Sequence, residues 1–150
     1  MAQALQIPNL GRVRPLRRED DQRRQWSPVR ALDFPDWFKE AFDRISELGK
    51  LQEGWDSFGA LPVSSGAISR ARLLLSNLQV EDLPRPHIAA IPDGSVGLHW
   101  RVAERDLEIE VEPSGSLHCL RTVVGEGPME AEDVHNFSEV QHALNWIIGR

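Results

Sequence analysis

The sequence predicts an α+β fold: an antiparallel meander of about four strands over residues 86–124, covered on one face by helices at about 34–48, 65–79 and 138–148. Two observations carry this. Apolar residues recur at three- and four-residue spacing in three segments and at two-residue spacing in the stretch between the second and third. The helical and extended segments are also grouped rather than alternating, which favours a layer of helices on an antiparallel sheet.

The first helix is expected to begin near Asp33, a good N-cap, with Pro35 in the first turn and Asp36 at the positive end of the helix dipole. Phe38, Ala41, Phe42, Ile45 and Leu48 form its apolar stripe, and Lys39, Glu40, Asp43, Arg44 and Glu47 fill the other face. Gly49 stands where a left-handed C-cap glycine ends a helix. In the second helix Ser64 or Ser65 supplies the cap, and Ala67, Ile68, Ala71, Leu74, Leu75 and Leu78 keep the period before Leu83-Pro-Arg-Pro86 stops it. A Ser138-x-x-Gln141 capping box opens the third, with Val140, Ala143, Leu144, Ile147 and Ile148 on one side.

Between them, Ile88–Ile91 predicts a short strand and Pro92-Asp-Gly94 a turn. Val96, Leu98, Trp100 and Val102 alternate with polar residues or glycine, as do Leu107, Ile109 and Val111 with Glu108, Glu110 and Glu112. A hairpin around Ala103-Glu-Arg-Asp106 pairs Val102 with Leu107, Trp100 with Ile109 and Leu98 with Val111, all on one face. Pro113-Ser-Gly-Ser116 predicts the next turn, Leu117–Val124 a further strand, and the acid-rich stretch to Asp133 a loop.

Charge divides the chain. Residues 1–30 carry seven arginines and three acids (+4), and residues 31–150 carry ten basic and twenty acidic side chains (−10), which gives the overall −6. Residues 1–31 are expected to form a basic, largely irregular arm, and residues 32–150 a single domain. An acidic body disfavours docking on nucleic-acid phosphates. The arm, through Arg17, Arg18, Arg23, Arg24 and Trp26, is the one part suited to nucleic acid or an acidic surface. No apolar run reaches the length of a membrane span and no signal-peptide pattern opens the chain, so a cytoplasmic protein is expected. With Cys119 as the single cysteine, an internal disulfide framework is excluded.

No motif names a chemistry. The loop "EGWDSFGALP" (53–62) has Asp56 as a candidate acid or base and Ser57 as a candidate nucleophile. It lacks the Gly-x-Ser-x-Gly elbow and any Gly-Lys-Ser/Thr phosphate motif. The structural reading is preferred: Gly54 and Gly59 permit positive φ, Asp56 bonds neighbouring backbone N–H groups, Trp55 and Phe58 plug the seam between helix and sheet, and Pro62 closes the loop. His135, Glu139 and His142 share a helix face only if the last helix extends back to 135, which Ser138 argues against. His118 and Cys119 are adjacent on a strand and so face opposite ways. No metal or cofactor is therefore expected. Glu108, Glu110 and Glu112 form an acidic row on the sheet face opposite the core, suited to a basic partner surface, with Trp26, Trp37 or Trp55 as hydrophobic anchors.

The segments "GWDSFGALPVS" (54–64), "IPDGSVGLHW" (91–100) and "DLEIEVEPSGS" (106–116) together resemble a group of small prokaryotic proteins. That group shares a Gly-Trp-Asp loop ending in Gly-Ala-x-Pro, a Pro-Asp-Gly turn and a Leu-Glu-Ile-Glu strand. The resemblance spans about residues 53–117 and brings no established activity or catalytic residue. Its association with mobile-element and defence neighbourhoods implies an antitoxin-like or inhibitor-like role. The leading expectation is accordingly a non-enzymatic protein that masks a basic site on a toxin or effector. The alternatives are a small hydrolase using Asp56 with His99 or His118, and a DNA-associated regulator using the arginine arm.

Overall fold

Two amphipathic helices, α1 (Trp37–Leu48) and α2 (Ser65–Ser76), precede the sheet in a computed structural model that describes residues 34–78, 80–128 and 131–150. The strands are β1 (His87–Ala90), β2 (Val96–Val102), β3 (Arg105–Val111), β4 (Leu117–Val123), β5 (Gly127–Pro128) and β6 (Glu132–Val134); helix α3 (Phe137–Ile147) closes the chain. The arm residues Arg17, Arg18, Arg23, Arg24 and Trp26, and the expected cap Asp33, lie outside the described residues.

The meander runs β1-β2-β3-β4 with every pairing antiparallel, and β5 and β6 share the outer edge of β4. Ile88, Val96, Leu98, Trp100, Leu107, Ile109, Val111, Leu117 and Cys119 are buried on one face of this sheet. Against them pack Ala41, Ile45 and Leu48 of α1, Ala67, Ile68, Ala71, Leu74 and Leu75 of α2, and Val140, Ala143, Leu144 and Ile147 of α3. Each fully buried Leu, Ile or Val contributes on the order of 1.5–3 kcal/mol relative to exposure, so this single cluster dominates the stabilisation. The architecture is the expected α+β arrangement, with helices on one face.

Local details depart from expectation in five places. Helix α1 starts at Trp37, after a turn closed by the Phe38 N–H on the Pro35 carbonyl, and Asp36 makes no side-chain cap. Gly49 is right-handed (φ −66°), because the chain leaves α1 through further right-handed bonds, Lys50 N–H to Glu47 O and Leu51 N–H to Leu48 O. Helix α2 ends at Ser76 rather than 79: the Asn77 side chain bonds back to Leu73 O and its N–H to Leu74 O. Helix α3 is capped two residues earlier than expected, by Asn136, whose side chain accepts from the Glu139 N–H while the Glu139 carboxylate accepts from the His135 N–H. Finally, part of the stretch taken as a loop before Asp133 is β6, pairing Leu117 with Val134, His118 with Asp133 and Cys119 with Glu132.

The β2–β3 hairpin holds a further correction. Trp100 pairs with Leu107, Leu98 with Ile109 and Val96 with Val111, so the register is two residues away from the expected one. A two-residue shift preserves the faces, and the apolar side chains stay together. The shift arises at the turn. Val102 pairs with Arg105, leaving only Ala103 and Glu104 between them, and Ala103 takes φ 52° to make the tight reversal.

Indole nitrogens fix the connection into the sheet. Trp37 Nε1 donates to Leu83 O (3.0 Å) and Trp100 Nε1 to Pro84 O (2.9 Å), so the proline-rich segment after α2 has partners for its carbonyls. At the other end of the loop system, α2 begins against the β3–β4 turn: a Cβ on Gly66 would lie 2.7 Å from the Pro113 carbonyl oxygen. Alanine there gains about 1 kcal/mol of helix propensity, but overpacking against fixed backbone costs about 1–3 kcal/mol. The overlap wins, because a backbone carbonyl in a hydrogen-bonded turn cannot rotate away. Gly66→Ala is therefore expected to lower the denaturation midpoint with an unchanged m-value; an unchanged midpoint would show that the turn yields.

Candidate functional site

The loop 53–62 is held almost wholly by its own bonds. Gly54 N–H reaches Ala60 O (2.7 Å) and Ser57 N–H reaches Gly54 O (2.8 Å). One oxygen of Asp56 accepts from both the Phe58 N–H (2.8 Å) and the Ala60 N–H (3.0 Å). These bonds, Ala60 first and then Phe58, hold the Asp56 carboxyl below its ordinary value of 3.8. Trp55 is half-buried, and its indole donates to Leu61 O (3.0 Å), across its own loop. Gly54 (φ 76°), Ser57 (φ 67°) and Gly59 (φ 90°) supply the reversals.

Phe58 does not plug the helix–sheet seam: it is 92% exposed. It stands between two residues of positive φ, and with its N–H tied to Asp56 the ring projects away from the loop. Neither Trp55 nor Trp37 is a free anchor, since both indoles bond to backbone carbonyls of the fold itself.

The sheet face that no helix covers among the described residues carries the predicted acids. Across the strands, His87, His99, Glu108 and Leu120 form one row, and Ala89, Gly97, Glu110, His118 and Asp133 the next. Arg101, Asp106 and Thr122 form a third. Glu108 is exposed and Glu110 half-buried; Glu112 lies just past the end of β3 and turns back to His118. The expected acidic row is therefore faced by histidines: His99 is the cross-strand partner of Glu108, and His118 that of Glu110.

These histidines are engaged within the sheet, not with Asp56. His99 Nε2 lies 2.8 Å from Asp106 Oδ1, and the other Asp106 oxygen accepts from Arg101 (3.1 Å). His118 Nε2 lies 2.9 Å from Glu112 Oε1 and its Nδ1 lies 2.6 Å from Asp133 Oδ1. A neutral imidazole has one N–H, so satisfying both carboxylates requires the imidazolium. Partial burial pulls the His118 pKa down, but Glu112 and then Asp133 outweigh it, and the net shift is upward from 6.5. Cys119, facing the core, has its thiol pushed up by burial. His135 precedes α3 and Glu139 serves the cap, so the His135–Glu139–His142 helix face does not form.

Beside His118 the sheet edge opens into a cleft of about 520 Å³ between the β3–β4 turn, β6, Arg70 of α2 and the approach to α3. Arg70 had no signal as a site residue in the sequence, and the place of Asp133 beside His118 had none. Arg70 reads as the polar face of a helix, and Asp133 joins His118 only through a three-residue strand. A second hollow, of about 410 Å³ between α1 and β1, has its arginines engaged: Arg85 pairs with Glu40, and Arg44 Nε donates to Ile88 O.

Two outcomes check this geometry. Asp56→Ala is expected to speed amide exchange at Phe58 and Ala60 by about tenfold or more, since their acceptor is gone. Phe58→Ala leaves stability within about 0.5 kcal/mol, as for other exposed positions. Slow exchange retained in Asp56→Ala would mean that the backbone bonds alone fix the loop.

A further outcome concerns pH. His118 has a folded pKa above its unfolded one, so its contribution is complete below about 6.5 and is lost as pH rises through the folded value. The groups facing it are Glu110, Glu112, Asp133 and, across the cleft, Arg70 and His135. The stability difference between wild type and His118→Gln is expected to be larger at about pH 5.5 than at about pH 8. A difference that grows with pH would refute the imidazolium bridge.

No protein-family model, curated protein or solved structure matches the chain, so its function is argued from its own residues.

Proposed function

We propose that the protein is a non-enzymatic interaction protein, an antitoxin, immunity factor or anti-defence inhibitor, whose acidic sheet face masks a basic site on a protein partner. The observation that carries this reading is the sheet face that no helix covers among the described residues, where Glu108 and Glu110 stand beside Asp106, with Arg101 on Asp106 and His118 bridging Glu112 and Asp133 at the edge. A sheet face that no helix covers among the described residues offers a broad, rigid surface. Its carboxylates steer a basic partner and set the register more than they add affinity.

The rival hydrolase reading draws less support. Asp56 accepts two backbone N–H bonds, and His99 and His118 have other carboxylate partners. No helix among the described residues is long and apolar enough to cross a membrane, and nothing in the proposal requires one.

The test is isolation of the tagged full chain from its native host, in parallel with Glu108→Lys/Glu110→Lys. Glu108 is exposed and Glu110 half-buried, so the folded state tolerates both changes. Wild type is expected to retain a stoichiometric protein at low salt and lose it progressively as salt screens the face, and the double variant is expected to lose it throughout. Absence of any stoichiometric partner, or equal retention by the double variant, would defeat the reading.

A further inference from the structure

The arginines of the described residues are engaged, with one exception. Arg44, Arg85, Arg101, Arg121 and Arg150 have ion pairs. Arg72 donates to Ser46 Oγ and Arg105 to the Trp146 carbonyl. Arg70 has neither a hydrogen bond nor an ion pair among the described residues. Its guanidinium lies over the Phe137 ring, 4.8 Å from the centroid, and its Nε is shut off from solvent with no partner. The ring holds the cation in place without neutralising it. A planar guanidinium held this way is pre-organised for a carboxylate, because little rotamer freedom remains to be lost on binding.

Arg70 lines the same cleft as Glu112, Ser114, Ser116, His118 and Asp133. Glu112 is fully engaged, with one oxygen on His118 and the other accepting from Ser114 Oγ (3.3 Å). Asp133 gives Oδ1 to His118, while its Oδ2 accepts no bond from the described residues and its side chain is 67% exposed. The cleft thus holds one unmatched cation and one unmatched carboxylate oxygen. A bare anion is attracted by Arg70 and His118 but repelled by Glu112 and Asp133, and a bare cation meets the reverse. A ligand carrying both charges can set its carboxylate beside Arg70 and its ammonium beside the free Asp133 oxygen, so each charge lies nearest its opposite.

We propose that this cleft binds a small zwitterion with a carboxylate and an ammonium group, of the amino-acid class, with the carboxylate on Arg70 and the ammonium on Asp133. Its volume, about 520 Å³, lies within the range of about 300–1,000 Å³ usual for small-molecule sites. The role is separate from partner masking by the sheet face, so either reading stands if the other fails.

The experiment is a titration of the 15N-labelled full chain, followed by NMR, with glycine, β-alanine, γ-aminobutyrate and 6-aminohexanoate, and with acetate and methylammonium as single-charge controls. The ladder reads the spacing between the two groups. Saturable shifts are expected at Arg70, Ser114–His118 and Asp133–His135 for at least one zwitterion. That zwitterion should bind about tenfold or more tightly than either control, the effect of one charge-assisted contact. Arg70→Met, which keeps an apolar stem over Phe137, is expected to remove this preference; the exposed Asp133→Asn does the same from the other side and guards against a folding defect in the first variant. No saturable shift with any zwitterion, or acetate binding as tightly as the best of them, overturns the proposal.

Discussion

The fold depends on one joint, where the segment from Leu61 to Gly66 is bound to two turns of the sheet. Leu61 N–H donates to Pro92 O (2.8 Å), Ser64 N–H to Gly94 O (2.9 Å), and Ser64 Oγ to Pro113 O (3.4 Å). The same Ser64 hydroxyl accepts from the Gly66 N–H, so the residue that caps α2 also ties it to the sheet. Gly94 has a left-handed backbone (φ 94°), and a Cβ there would lie 3.1 Å from Pro62 O; Gly66 has no room for one at all. Two glycines and one serine therefore set how far α2 stands from the strands. That distance decides whether Ala67, Ile68 and Ala71 reach Val96, Leu98 and Val111 in the core.

This joint explains why three separated sequence segments belong together. The Gly-Trp-Asp loop, the Pro-Asp-Gly turn and the Leu-Glu-Ile-Glu strand with its Pro-Ser-Gly turn are far apart in the chain. In the fold they are the three parties to one set of contacts, at Leu61–Gly66, Pro92–Gly94 and Pro113. Their common requirement is backbone approach, which constrains glycine, proline and cap positions more tightly than it constrains the apolar residues around them. A pattern of that kind is a signature of assembly rather than of chemistry, and Asp56, bonded to two N–H groups of its own loop, fits it.

What the sequence made legible follows from the range of the forces involved. Helical stripes and strand alternation come from burial of one face, and a face is encoded locally. The helices and the core side of β2 and β3 were readable for that reason. Register is another matter. Pairing Trp100 with Leu107 or with Ile109 buries the same face, and only the two-residue turn at Ala103-Glu104 decides between them. Alanine at positive φ gives no sign of such a turn, where Asn-Gly would have. Strand β6 was hidden because Glu132-Asp133-Val134 has a single buried side chain, Val134, and is held by pairing to β4. With it were hidden the Asp133–His118 contact and the cleft. Phe58 went wrong differently: hydrophobicity predicted burial, whereas two positive-φ neighbours and the Asp56 bonds turn the ring outward.

The position of the histidines changes what the acidic face means. Read as a row of glutamates, it is a uniform negative field. With Glu108 beside His99 and Glu110 beside His118, each carboxylate has an imidazole within a strand spacing. A neutral imidazole leaves its carboxylate neighbour available to a partner, whereas an imidazolium competes for it. His118, already between Glu112 and Asp133, belongs to the second kind, and that end of the face is largely self-neutralised. His99 and Arg101 both bond to Asp106, and Glu108 stands exposed with no ion pair among the described residues. The negative potential available to a partner is therefore concentrated around Glu108, toward the middle of β3, while the β6 edge is mixed in sign. The proposed basic partner would be drawn to the first region, and the proposed zwitterion would be matched by the second.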